Sequence, residues 1–279
     1  MSINSISLHF LQEHPKDAAR ALEQFEPTQL ANFLQQVPVP TAATVVKYLV
    51  PSIAAECLKN MEIDKSSQII MKLGVERAAL LLRRMKTGFQ MQFIRAMTPL
   101  FANMTRLVLR YPAGTVGHVM NPNVLTVHAD MTIKDVTGVI SNSEELSHNE
   151  IFITGDRQEL RGIVDIRQLL TNDDKQSMKQ IMRAPGRYIP ARSTLDSLRN
   201  HSDWNLEENI PVIDHLGEFI GVLDRKTIHE SLFGKTTAGH DDDISRTAMD
   251  LAELFWHACA HLLAPDYQNV TKDQNNERD

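Results

Sequence analysis

The chain has 279 residues, 42% of them hydrophobic and 23% charged, and a formal net charge of -6. That length suits two domains or one large one, and the composition is that of an ordinary globular protein. The negative balance speaks against bulk attraction to nucleic acid or to an anionic bilayer. Only Cys57 and Cys259 are present, so a disulfide framework or a cysteine zinc site is not expected, and a reducing compartment fits. The opening MSINSISLHF lacks the basic start and apolar core of a secretory signal. No segment approaches the ~18 uninterrupted apolar residues of a membrane span. The expectation is a cytoplasmic protein without a membrane span.

Residues 15–110 show helical periodicity and almost no strand alternation. Short helices are predicted at PKDAARALEQF (15–25), TQLANFLQQV (28–37), TAATVVKYLV (41–50), PSIAAECLKNM (51–61), KSSQIIMKL (65–73) and VERAALLLRRM (75–85), with two more near 87–97 and 99–110. Pro15, Pro51 and Pro99 suit first helical turns, where a missing N–H costs nothing. Leu22, Phe25, Leu30, Phe33 and Leu34 lie at spacings that build buried helix faces. Helices this short are stable only when stacked on neighbours. They point to a helical superhelix or repeat array, with a compact bundle as the alternative. The repeat is expected to be weak, its period drifting between about 20 and 26 residues.

Charge is unevenly sorted here. From Lys65 to Ala129 the only acidic residue is Glu76, against Lys65, Lys72, Arg77, Arg83, Arg84, Lys86, Arg95, Arg106 and Arg110. The basic residues read either as a solvated face or as one that docks on acidic groups. The chain offers such groups in Glu144, Glu145, Glu150, Asp156, Glu159, Asp165, Asp173 and Asp174. Nucleic acid is not expected, because aromatic interleaving is absent.

YPAGTVG (111–117) breaks the helical pattern, and an α/β unit then occurs twice. In the first copy, VGHVMNPNVLTVHADMTIKDVTGVI (116–140) gives a turn of helix, an extended stretch, Asp130 as a helix cap and an amphipathic helix. EIFITGDRQELRGIVD (150–165) reads as two strands joined by a turn at Gly155-Asp156, and IRQLL closes the unit as a helix. The second copy runs SMKQIMRAPGRYIPARSTLDSLRN (177–200), NIPVIDHLGEFIGVLD (209–224) and RKTIHESLF. Met120 and Met182 stand 62 residues apart, while Ile151/Ile210 and Gly162/Gly221 stand 59 apart. Elements that agree in order and spacing mark an internal duplication. Each half has too little sheet to bury its own helices, so the halves should pack together.

VGHVMNPNVLTVHADMTIKDV with GIVDIRQLL, and IMRAPGRYIPARSTLDSL with IPVIDHLGEFIGVLD, resemble two cystathionine-beta-synthase-type (CBS) domains, a tandem pair known as a Bateman module. HPKDAARALEQFEPTQLANFLQQVP and ERAALLLRRM resemble the intracellular N domain of MgtE-type magnesium transporters. The resemblance covers roughly residues 9–233. It implies an α and α/β multidomain fold: a helical superhelix at 9–110, a first CBS domain at 114–173 and a second at 177–235; beyond it the residues themselves read as an amphipathic C-terminal helix at 244–264 and a disordered tail at 265–279. In that family Mg2+ binds between the N domain, the CBS pair and a linking helix and closes a pore. CBS pairs elsewhere bind AMP, ADP or ATP in the cleft between their halves, and they commonly form homodimers.

On that resemblance the cleft would be lined by Thr126, Val127, Asp165, Gln168, Ile189, Asp224 and Thr227. Nucleotide-binding CBS domains often carry a hydroxyl residue and, three positions on, an Asp for the ribose. Here those positions hold Asp165 with Gln168, and Asp224 with Thr227. A carboxylate facing phosphate without a cation is repulsive. Each Asp follows a strand and precedes a helix, so each can cap the helix, and Gln168 can return the bond to Asp165. Ser193 with Asp196 has the same box spacing. The alternative is a divalent cation such as Mg2+ held by Asp165 and Asp224, with other oxygens completing its shell.

No HExxH, phosphate loop, GxSxG elbow or paired-cysteine spacing occurs, and no enzyme is expected. In ELFWHACAHLLA (253–264), Glu253, His257 and His261 form the polar edge of an amphipathic helix, zinc being the alternative. DDD at 241–243 suits the positive end of that helix. Where the family continues to its pore, the chain ends in a polar stretch, DYQNVTKDQNNERD. The expectation is a protein that keeps the sensor without the channel, or a partner-binding subunit. Three readings stay open: a Mg2+-type regulatory sensor, an adenine-nucleotide sensor, and a dimeric scaffold that meets a protein through its basic helical face or C-terminal helix.

Overall fold

A computed structural model of the chain describes residues 5–141, 149–198 and 208–228. The expected C-terminal helix and tail, with Glu253, His257, Cys259 and His261, lie outside the described residues, as do Glu144 and Glu145. By its internal contacts the chain divides into two units, one holding the residues up to Ala102 and the other starting at Asn103.

The first unit is helical: α1 (Ser5–Glu13), α2 (Pro15–Leu22), α3 (Pro27–Leu34), α4 (Val39–Val46), α5 (Pro51–Lys59), α6 (Ile63–Lys72), α7 (Val75–Leu82) and α8 (Thr87–Ala96), followed by α9 (Pro99–Leu109). All eight expected helices are present, and α1 precedes them. The expected drift in period is corrected. From α2 on, starts at residues 15, 27, 39, 51, 63, 75, 87 and 99 advance by a constant 12. The regularity lies in side-chain size: Ala18-Ala19, Ala42-Ala43, Ala54-Ala55, Ser66-Ser67 and Ala78-Ala79 each occupy the fourth and fifth helical positions and are buried. Small residues there let each helix approach the next but one, and α2 packs on α4, α3 on α5, α4 on α6, α5 on α7 and α6 on α8.

Polar links repeat at the same step. The N–H of Val50, opening α5, donates to Glu23 Oε1 at the end of α2 (2.7 Å), and the N–H of Glu62, opening α6, donates to Gln35 Oε1 at the end of α3 (3.3 Å). Lys65 Nζ donates to the Gln35 carbonyl, and Arg77 Nη1 donates to the Lys47 carbonyl (2.7 Å). A cation at a helix C-terminus meets the negative end of the dipole and satisfies an orphan carbonyl. At the same 30-residue interval, Lys59 Nζ sits 5.2 Å from the Phe89 ring centroid. Part of the basic run is thus committed to joining helices. Cys57 is buried among them and its thiol is pushed up to about 12, so it packs as an apolar side chain rather than acting as a nucleophile.

The second unit holds α10 (Val116–Val119), β1 (Thr126–His128), α11 (Ile133–Ser141), β2 (Glu150–Thr154), β3 (Leu160–Asp165), a 3-10 turn (Ile166–Leu170), α12 (Met178–Ile181), β4 (Ile189–Pro190), α13 (Leu195–Leu198), β5 (Asn209–Ile213) and β6 (Phe219–Asp224). Its two sheets, β1-β2-β3 and β4-β5-β6, share one plan: the first strand runs parallel to the second, and the second antiparallel to the third. The sheet of the first copy is buried on both faces. Ile151, Ile153 and Val164 join Val127, Ile133 and Val136 on one side. Phe152 and Ile163 meet Phe219 and Val222 of the second copy on the other.

The halves also exchange backbone. Asn121, leading into the first copy, trades hydrogen bonds with Val222 of β6 (2.7 and 2.9 Å). Arg183, leading into the second, trades them with Ile163 of β3 (3.0 and 3.1 Å). These bridges are mates under the duplication, as are Thr115 with Thr194 and Thr132 with Ser177, while Glu159 with Glu218 is its own mate. This crossing explains the repeated glycine. A Cβ on Gly162 would meet the Met182 side chain at 2.6 Å and the Arg183 carbonyl oxygen at 2.8 Å, and one on Gly221 would meet the Asn121 carbonyl oxygen at 2.6 Å.

Two expected caps are corrected. α11 is opened by Thr132, which forms reciprocal bonds with Asp135, while Asp130 pairs with Lys179 (2.8 Å). α13 is opened by Thr194, whose Oγ1 accepts from the Ser197 N–H (3.3 Å), one residue beyond the expected Ser193. In each case a threonine one or two residues further on takes the capping position.

Candidate functional site

The ends of β3 and β6 carry the duplicated carboxylates. Asp165 Oδ1 accepts from the Arg167 N–H (2.9 Å) and Nε–H (2.9 Å), and Oδ2 accepts from Nη2 (2.7 Å). The Asp165 N–H donates to Gln168 Oε1 (3.1 Å), which completes the capping box expected from the spacing. Asp224 Oδ1 accepts from the Thr227 N–H (2.7 Å) and Oδ2 from the Thr227 hydroxyl (2.8 Å). Both acids are therefore held by the turn that follows them.

The strand partners of these acids join the two copies. Glu150 lies opposite Asp165, and Asn209 opposite Asp224. Glu150 Oε2 accepts from Asn209 Nδ2 (3.0 Å), and Oε1 accepts from Arg183 Nη2 (2.9 Å). Glu150 and Asn209 occupy equivalent positions of the repeat. Two glutamates meeting there would repel, and the amide in the second copy turns that contact into a hydrogen bond.

Bonding by the Arg167 guanidinium holds the Asp165 carboxyl down at about 2. A carboxyl lowered on folding stabilises the fold above its ordinary value of 3.8, and the stabilisation is lost as pH falls through the folded value. A carbon-13 titration should therefore place the Asp165 midpoint near 2, moving up toward 3.8 in Arg167→Ala. An unchanged midpoint in that variant would remove Arg167 as the cause.

Of the expected cleft residues, Thr126 and Val127 lie on β1, Ile189 on β4, and Asp165 and Asp224 at the ends of β3 and β6. Thr126 is exposed on β1 beside Phe152, whereas the neighbouring Val127 side chain is buried in the first copy's core. Ile189 is half-buried and pairs with Val212. Gln168 and Thr227 bond to their own Asp residues. Of this set, Thr126 lines an open surface hollow of about 270 Å³, with Pro122 and Val124 of the first copy, Phe219 and Ile220 of the second, and Asn103, Met104 and Leu107 of α9. The α9 wall was not foreseen, because nothing in its amphipathic pattern says which neighbour its last two turns meet. Among the described residues, no group of three or more His, Cys, Asp or Glu is placed to hold a metal ion. No helix among them is long and apolar enough to cross a membrane.

Residues 13–114 match the model of the MgtE intracellular N domain, and residues 116–174 that of the CBS domain. The chain joins an MgtE-type N domain to a tandem CBS module. The magnesium transporter MgtE of Bacillus subtilis (strain 168) is 18% identical over 269 residues, covering 89% of this chain and 57% of that protein. The MgtE of Thermus thermophilus is 21% identical over 250 residues, covering 87% of this chain and 54% of its own. The chain thus spans about half the length of these curated relatives. The crystal structure of the cytosolic domain of the Mg2+ channel MgtE in complex with ATP superposes with a TM-score of 0.69 at 20% identity, over 81% of this chain and 93% of that one. The N domain and the CBS pair therefore share its fold.

Proposed function

We propose that the chain is a non-catalytic regulatory protein of the cytoplasm: its CBS pair receives a small ligand, and its MgtE-type N domain passes the change to a partner. The order of domains, like that of the Mg2+-channel cytosolic region, supports the regulatory part of this reading. A homodimer joined through the CBS copies belongs to the same reading.

The engagement of both duplicated carboxylates in their own turns bears most on the ligand. Asp165 and Asp224 do not fit a shared divalent cation: a guanidinium covers the first, and Thr227 engages both oxygens of the second. Gln168 and Thr227 are likewise spent where a ribose would need a carboxylate. The open space lies instead against Thr126, Phe219 and Ile220, and its character suits the base or nucleoside part of an adenine nucleotide better than Mg2+. The related cytosolic domain crystallised with ATP gives that ligand class its support.

Calorimetric titration of the whole chain with ATP, AMP and Mg2+ separately, paired with solution scattering, tests the reading. Saturable heat with a nucleotide and a changed envelope is the expected result. Heat from Mg2+ alone would move the function to cation sensing, and silence from all three would leave a protein-binding scaffold.

A further inference from the structure

The two sides of the CBS pair have become chemically unlike. By the repeat spacing, Thr126 corresponds to Tyr188, and Ile220 to Arg161. On the second side Tyr188 is 57% exposed, Arg161 is paired with Glu159, and Arg183 is paired with Glu150. On the first side the smaller Thr126 and Ile220 leave the 270 Å³ space, and the end of α9 supplies its remaining wall. Six of its eight lining residues are apolar, Asn103 and Thr126 are neutral, and none carries a charge. Such a lining favours burial of uncharged surface, and the Arg106 guanidinium next to it donates to Asn103 Oδ1 (3.0 Å).

From this juxtaposition we propose that the space between Phe219, Thr126 and the α9 residues Asn103, Met104 and Leu107 is a binding site for a flat, uncharged, largely apolar group, and that α9 is the element that reads its occupancy. The proposal rests on the ligand-receiving reading of the CBS pair given above and adds the side used, the ligand chemistry and the responding helix. α9 begins at Pro99 in the first unit and ends at Leu109 in the second, so a ligand that fixes its last turns acts on a helix continuous with the N domain. One site per chain is expected, because the equivalent side chains of the other half are bulky or ion-paired.

The test uses the whole chain and the neutral naphthalene dye prodan, with adenosine and ATP as competitors. Prodan should bind once per chain with a blue-shifted emission, and amide exchange should slow across residues 103–109. Leu107→Asn, which puts an amide into the wall, and Asn103→Arg, which puts a charge at an exposed position and spares the core, should each weaken binding about tenfold or more, on the order of 1.4 kcal/mol. Adenosine should displace the dye as well as ATP does, since no phosphate contact is expected. Absence of prodan binding, binding in both variants as tight as in the unchanged chain, or unchanged exchange in α9 would overturn the site. ATP competing more than about tenfold better than adenosine would overturn its uncharged character. If the dye behaves as expected and neither competitor displaces it, the adenine-nucleotide reading fails while the α9 site stands.

Discussion

Gly221→Val is expected to lower the stability of the CBS unit by about 3 kcal/mol, near the upper end for overpacking of a well-packed site. The first added carbon would fall 2.6 Å from the Asn121 carbonyl oxygen and 3.0 Å from the Pro122 Cα. Neither neighbour can yield cheaply, because Asn121 is tied to Val222 by hydrogen bonds of 2.7 and 2.9 Å. The backbone at Gly221 also has φ +152°, which a branched side chain disfavours. Gly162 differs in one respect: its closest neighbour is the flexible Met182 side chain, although the Arg183 carbonyl is only 2.8 Å from the same point. Gly162→Ala should therefore cost less than Gly221→Ala. Urea midpoints for the alanine and valine pairs check both statements, and an unshifted midpoint for Gly221→Val would contradict the crossing of the two halves.

Phe152→Ala is the second large effect, at about 3–5 kcal/mol. The ring is fully buried on the face of β2 that meets the second copy, and it stacks on Phe219 with centroids 4.9 Å apart. Truncation opens a cavity between the halves that Ile163 and Val222, fixed by their backbone bridges, cannot fill. A double-mutant cycle with Phe219→Ala should return a coupling of about 1 kcal/mol, the part owed to ring against ring rather than to buried area. Additive losses would mean that the two rings report separate cores.

The duplication was legible because it lives in residues with strong local meaning. Glycine, aliphatics and a helix-capping carboxylate occur in the same order twice, and the same offsets reappear as mated bridges between the copies. The Asp165 box could be read from its three-residue spacing, as could the short proline-started helices. The twelve-residue step of the N domain was less visible, because its markers are pairs of alanine or serine and its first helical positions vary among Pro, Val, Ile and Thr. Asp130 and Ser193 each stand one or two residues before a threonine that caps equally well, and local pattern does not choose between capping residues so close together. The α9 wall depends on where the end of a helix comes to rest, which is a tertiary outcome without a motif.

The exchange of backbone between the copies also bears on the order of events during synthesis. Asn121 leaves the ribosome roughly a hundred residues before Val222, the strand residue it must meet, and loops of that span close slowly. Until then the first copy holds an unpaired segment beside its sheet, while Ile163 waits for Arg183. Neither CBS copy is a finished folding unit when its own last residue is made. The smallest piece that can complete itself within one chain is the pair, and two separated first copies would have every reason to complete each other instead.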